Sequence, residues 1–188
     1  MKLLQANHWD TQYELSLNLF EMSASVSCMH GDNDTMSGCL REILSNAKSF
    51  DDSLAGAAML AKLLASNSKY DDARSNCLDI LKNLGEDFPA DISMPDVLNE
   101  LSDAQRALKN VTHAQMKALP PMTNKSKLNA MKFLNMLCMY SGISKPILLP
   151  ILSIRMVNLT LQYGWCDDSI VGLTTAGYSL VSFAVVCI

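Results

Sequence analysis

Aromatic residues make up only 6% of this 188-residue chain, glycine occurs 8 times and proline 6 times. So few turn-formers exclude collagen-like and low-complexity classes. Scarce aromatics beside 12 methionines and frequent Leu and Ala favour helix over strand. Basic charge is also short: 15 Lys and Arg face 19 Asp and Glu, a net charge of −4, which excludes a generally basic nucleic-acid binder. At 49% hydrophobic and 18% charged, the chain is too apolar and too near neutrality for intrinsic disorder. Its length suits one domain with a sizeable core.

Chemistry-bearing motifs are missing as well. No Gly-x-x-x-x-Gly-Lys-Ser/Thr or Gly-x-Gly-x-x-Gly stretch cradles a phosphate, and no Gly-x-Ser-x-Gly elbow presents a nucleophile. The six cysteines, Cys28, Cys39, Cys77, Cys138, Cys166 and Cys187, contain no pair at metal or redox spacing. Each sits among apolar or small residues and reads as a small hydrophobe in a reducing compartment. His8, His30 and His113 lie far apart; His30 and Cys28, two residues apart, point to different sides of a helix. The pairs Asp51-Asp52, Asp71-Asp72 and Asp167-Asp168 fall at expected helix starts, where capping accounts for them. Lys125, Lys127 and Lys132 lack interleaved aromatics that would stack on bases, and Met131, Met136 and Met139 read as soft core. Catalytic residues, cofactors, metals and nucleic-acid partners are therefore expected to be none.

The opening Met1-Lys2-Leu3-Leu4 builds no signal-peptide core, so a cytoplasmic location is expected, and the sequons at Asn33, Asn110, Asn124 and Asn158 read as chance. Ser169 to Ile188 is uncharged and 20 residues long, about the length of a membrane span. The Gly, Ser and Thr residues scattered through it, and Tyr178 in its middle, suit a core helix better. Charge is unevenly distributed: residues 1–104 hold 7 Lys and Arg against 17 Asp and Glu, whereas 105–188 hold 8 against 2. Such polarity can steer a partner or simply mark solvated helix faces.

What the chain does have is helical periodicity. Trp9, Tyr13, Leu17, Phe20 and Ala24 form one row, and Leu15, Leu19, Met22 and Val26 a second. Two rows predict a helix covered from two sides. Gly31 is a natural stop, with Asp32 or Asp34 capping a second helix over about 33–48. A third starts at Asp51 or Asp52 and runs to Ser66; a fourth runs from Tyr70 to Gly85. Ser93 caps a helix with Pro95 in its first turn, Thr112 caps a short one stopped by Pro120-Pro121, and Thr123 or Asn124 opens a seventh ending at Gly142. Pro146 opens an eighth to Gly164, and Asp167 or Asp168 caps a ninth.

A shift of 37 residues lays Asp34, Met36, Ile43 and Leu44 on Asp71, Ala73, Ile80 and Leu81, and Gly31 on Ser68. A period in the thirties is the mark of helical-hairpin solenoids. The expected architecture is one all-α domain over 1–188, a right-handed solenoid of antiparallel hairpins at about 9–48, 51–85, 94–119 and 124–164. Its last helix, 167–188, is cut short.

Lys69-Tyr70-Asp71-Asp72-Ala73, followed by Cys77 and Ile80-Leu81, resembles the second helix of a tetratricopeptide repeat, with Tyr70 and Ala73 where its helices pack. Trp9, Tyr13-Glu14-Leu15-Ser16-Leu17, Gly31-Asp32, Leu119-Pro120-Pro121-Met122-Thr123, Arg155-Met156-Val157 and Tyr163-Gly164 extend the likeness. Together they resemble the helical region after the AAA/STAND-class ATPase of large signalling proteins, where a serine/threonine kinase-like domain precedes the ATPase, and a GAF domain and a histidine kinase often follow. Ser68 departs from the repeat's turn glycine. The resemblance implies a fragment acting as a non-catalytic interaction and coupling arm whose partner is a protein, a peptide or a neighbouring domain. The alternatives are a standalone adaptor of the same fold and, less favoured, a small protein anchored through 169–188.

Overall fold

The computed structural model describes residues 7–89, 91–109 and 111–186. Met1-Lys2-Leu3-Leu4, Asn110, the His113 side chain and Cys187 lie outside the described residues. Among those described, the chain is all-helical, with ten α-helices, one 3-10 turn and no strand. It divides into two compact units, residues 1–76 and 77–188.

In the first unit, α1 (His8–Thr11) breaks from α2 (Tyr13–His30) at Gln12, whose φ of −139° and ψ of 47° are not helical. The tenth helix, one more than expected, arises from that break, which separates Trp9 from the row it was grouped with. α2 ends at Gly31, left-handed at φ 71°, and Asp32 caps α3 (Asn33–Asn46) by accepting the Thr35 amide. α4 (Phe50–Ser66) starts earlier than expected. Ser49, not Asp51 or Asp52, is the cap: its hydroxyl accepts the Asp52 amide and Asp52 reaches back to the Ser49 amide. α5 (Tyr70–Asn83) follows a turn in which Ser68 holds φ 60°, a conformation costing a non-glycine residue about 1 kcal/mol.

α3 packs on both α2 and α4. The core joins Leu17, Phe20 and Ala24 to Met36, Cys39, Leu40 and Ile43, with Leu63 from α4. The second row of α2 is a correction. Leu15, Leu19, Met22 and Val26 are exposed, because α3 and α4 both meet the opposite side of the helix. Leu44 of α3 is also exposed.

Helix bounds repeat with the sequence shift. α3 and α5, each of 14 residues, begin 37 apart; α2 and α4 also begin 37 apart, and the left-handed residues Gly31 and Ser68 keep the same interval. Cys39 Sγ donates to Ser23 Oγ of α2, and its counterpart Asn76 donates from α5 to the Ala57 carbonyl of α4.

In the second unit, α6 (Met94–Leu108) and α7 (His113–Lys117, with a Thr112–Gln115 capping box) precede α8 (Lys125–Ser144). α8 is capped by Asn124 and does not end at Gly142; an exposed glycine inside a helix weakens it without breaking it. A 3-10 turn over Pro146–Leu148 leads into α9 (Leu149–Tyr163), and α10 spans Ser169–Val186. α9 is the centre, packing on α6, α8 and α10. Phe133, Leu134, Leu137, Leu152 and Met156 are fully buried, each contributing about 2–3 kcal/mol. Val97, Leu101 and Ala104 of α6 meet Ile151 and Ile154 of α9. No helix among the described residues is long and apolar enough to cross a membrane.

The loops before α8 and after α9 are joined. Trp165 donates its backbone N–H to the Pro120 carbonyl (2.8 Å), the Met122 N–H donates to the Trp165 carbonyl (2.7 Å), and the Trp165 indole N–H donates to the Met116 carbonyl. Gly164 makes this approach possible at φ 100° and ψ −173°: a Cβ there would stand 2.1 Å from the Pro120 oxygen. Gly164→Ala is expected to cost about 3 kcal/mol or more. Gly177→Ala, with nothing within 4 Å of the added methyl, should gain about 0.5–1 kcal/mol. Urea unfolding of the two variants checks the opposite signs.

Candidate functional site

Two polar constellations stand out, one in each unit. In the first, Tyr13 donates its hydroxyl to Asp52 Oδ2 (2.7 Å) and accepts the Lys48 backbone N–H (2.9 Å), while the Lys48 ammonium lies 4.2 Å from the ring centroid. Burial pushes the Tyr13 hydroxyl above its ordinary pKa, reinforced by Asp52. The hydrogen bond from Tyr13 holds Asp52 below the usual carboxylate value. Trp9 donates its indole N–H to Glu42 (3.1 Å) and stacks on Phe20, at 5.3 Å and 18°. Tyr13, Lys48 and Asp52 line an open cleft of about 740 Å³ together with Gln12, Glu14 and Leu15.

The structure gathers part of the expected signature here. Trp9, Tyr13 and Leu17 share one core, whereas Gly31 stands at the far end of α2. Ala73 is fully buried and Tyr70 half-buried at the start of α5. His8 bonds Ser16 Oγ through Nδ1 and stacks on Phe20. Cys28 is exposed, while Cys39, Cys77 and Cys138 are buried. Burial raises the thiols of Cys77 and Cys138 to about 12. Among the described residues no group of His, Cys, Asp and Glu could hold a metal ion.

The second constellation was not anticipated. Glu86, in the break after α5, is 4% exposed and accepts from Lys127 Nζ of α8 and Arg155 Nη1 of α9, each at 2.7 Å. Burial pushes its carboxyl up, but hydrogen bonds and charge from Lys127 and Arg155 outweigh this and leave it below the ordinary value. Arg155 also lies 5.0 Å from the Phe88 ring centroid and Lys127 5.7 Å from that of Tyr163. A groove of about 360 Å³ along α6 and α9 is lined by Phe88, Pro89 and Ile151, by the carboxylates of Asp91, Asp96, Glu100 and Asp103, and by Arg155 itself. No periodicity links positions 86, 127 and 155; the only sequence signal was an acid in a loop that is otherwise a helix break. Asp168 likewise does more than stand at a helix start, receiving the Asn135 amide at 2.6 Å.

No protein-family model, curated protein or solved structure matches this chain.

Glu86→Gln is expected to lose about 2–3 kcal/mol at pH 7, because two cations keep their burial but lose their counter-charge. The folded pKa is depressed, so Glu86's contribution is complete above the ordinary value of 4.5 and fades as pH falls through the folded value. Denaturation curves of the wild type and Glu86→Gln should therefore converge on acidification. Tyr13→Phe should cost about 1–2 kcal/mol by leaving Asp52 and the Lys48 N–H without their shared partner, read as a lower urea midpoint with unchanged helicity.

Proposed function

We propose that this chain is a non-catalytic interaction module built of tetratricopeptide-like hairpins in a right-handed solenoid. In this reading it serves as the coupling arm of a signalling ATPase, as the sequence resemblance implies. The observation that carries the reading is the register of the first four long helices: two helix pairs begin 37 residues apart, and each pair turns through a left-handed residue. Stacked hairpins present side chains along a continuous surface to a partner. An arm that contacts two states of a neighbouring domain unequally shifts the balance between them.

The groove between α6 and α9 supplies the chemistry of recognition. Four carboxylates line it against one cation, Arg155, which Glu86 already neutralises, and this balance favours an extended partner segment carrying Lys or Arg. Fluorescence anisotropy of the full chain with labelled Lys/Arg-rich and Asp/Glu-rich peptides tests this. The basic peptide should bind at least about tenfold tighter, and the double variant Asp91→Asn, Glu100→Gln should remove most of that preference. Equal affinity for both peptides, or a preference untouched by the double variant, refutes the groove.

A further inference from the structure

The exposed side of α2 is not the surface of a solvated helix. Leu15, Leu19, Met22, Val26 and Met29 are between 38% and 77% exposed, and they succeed one another at intervals of 4, 3, 4 and 3 residues. That is the narrow seam of a coiled coil, sustained over two heptads. The core side of the same helix is already satisfied by Leu17, Phe20 and Ala24, so this seam is a second, independent apolar stripe.

From this seam we infer that the chain pairs with a second copy of itself, α2 against α2. Two features fit a copy: the uncharged borders of the seam and its area. The positions bordering the seam within α2, Ser16, Asn18, Ser23, Ser25 and His30, carry no charge at pH 7 with His neutral, so self-pairing opposes no like charges there. Glu14 and Glu21 stand further back on the helix. A foreign partner is normally selected by charges at those bordering positions, and none is present. At their observed exposures the five side chains offer about 500 Å² per copy, so complete coverage by a second copy would bury at most about 1,000 Å² in all, the lower bound for a specific interface. Met22, at the middle of the seam, faces its own counterpart when the two helices run parallel and lies within one turn of it when they run antiparallel. An interface of this size gives a reversible dimer, and the inference stands independently of what the groove in the second unit binds.

Sedimentation equilibrium of the full chain tests it. The wild-type mass should climb from 20.6 kDa toward twice that value across the micromolar range. Met22→Glu and Met22→Lys, each checked by circular dichroism for native helicity, should each stay at the single-chain mass. Mixing the two should restore the double mass, because opposite charges then meet at the centre of the seam. A wild type that remains single up to about 1 mM overturns the inference. So does a dimer that both variants retain, which would assign association to another surface, such as the exposed Ile170, Tyr178 and Val181 of α10.

Discussion

Glu86 is where the second unit holds its elements in register. Its carboxylate sits at 4% exposure, so it persists there only because Lys127 from α8 and Arg155 from α9 both neutralise it. Apolar contacts between α8 and α9 are non-directional and tolerate sliding. A carboxylate with two fixed donors does not: moving either helix by one turn, about 5.4 Å, would strand a charge in the interior. Arg155 in turn lies against Phe88, which packs with the α6–α9 core, so one ion triad connects a loop, two helices and the groove at their edge. Replacing the triad with well-packed apolar side chains of similar volume need not destabilise the fold.

Helix placement was legible because it depends on local rules. Gly31, Asp32, Thr112, Asn124 and Gly164 end or begin helices through their own backbone preferences and short side-chain bonds. The 37-residue interval was visible for the same reason, since a repeat is a local pattern copied. Ser49 was missed beside two aspartates because a capping box needs the N-cap and the N3 residue together, and Asp52 plays the second part. α8 continues through Gly142 because its packing, with Leu134, Leu137, Cys138 and Ser141 buried, outweighs one glycine's cost.

The candidate sites were much less legible. Periodicity shows that Leu15, Leu19, Met22 and Val26 share a stripe, but not whether anything covers it; that depends on which side of α2 receives α3 and α4. Glu86, Lys127 and Arg155 come from a loop and two helices, and only the tertiary fold brings them within 2.7 Å. The acidic pairs illustrate both levels at once. Asp52 and Asp168 do stand near helix starts, yet each also receives a donor from far along the chain, Tyr13 and Asn135 respectively.

The junction of Pro120, Met122 and Trp165 has a consequence for how the second unit comes apart. It fastens the entry of α8 to the exit of α9, so the two helices and their 3-10 turn form a closed loop of chain. Opening either end alone gains little conformational freedom while the other end stays fixed, and much of the entropy of release appears only when the fastening itself yields. Amide hydrogens of α8 and α9 should thus exchange through one shared opening, as a single foldon with the fastening at its boundary. Gly164, by allowing that fastening, sets the size of the cooperative unit as well as the shape of a turn.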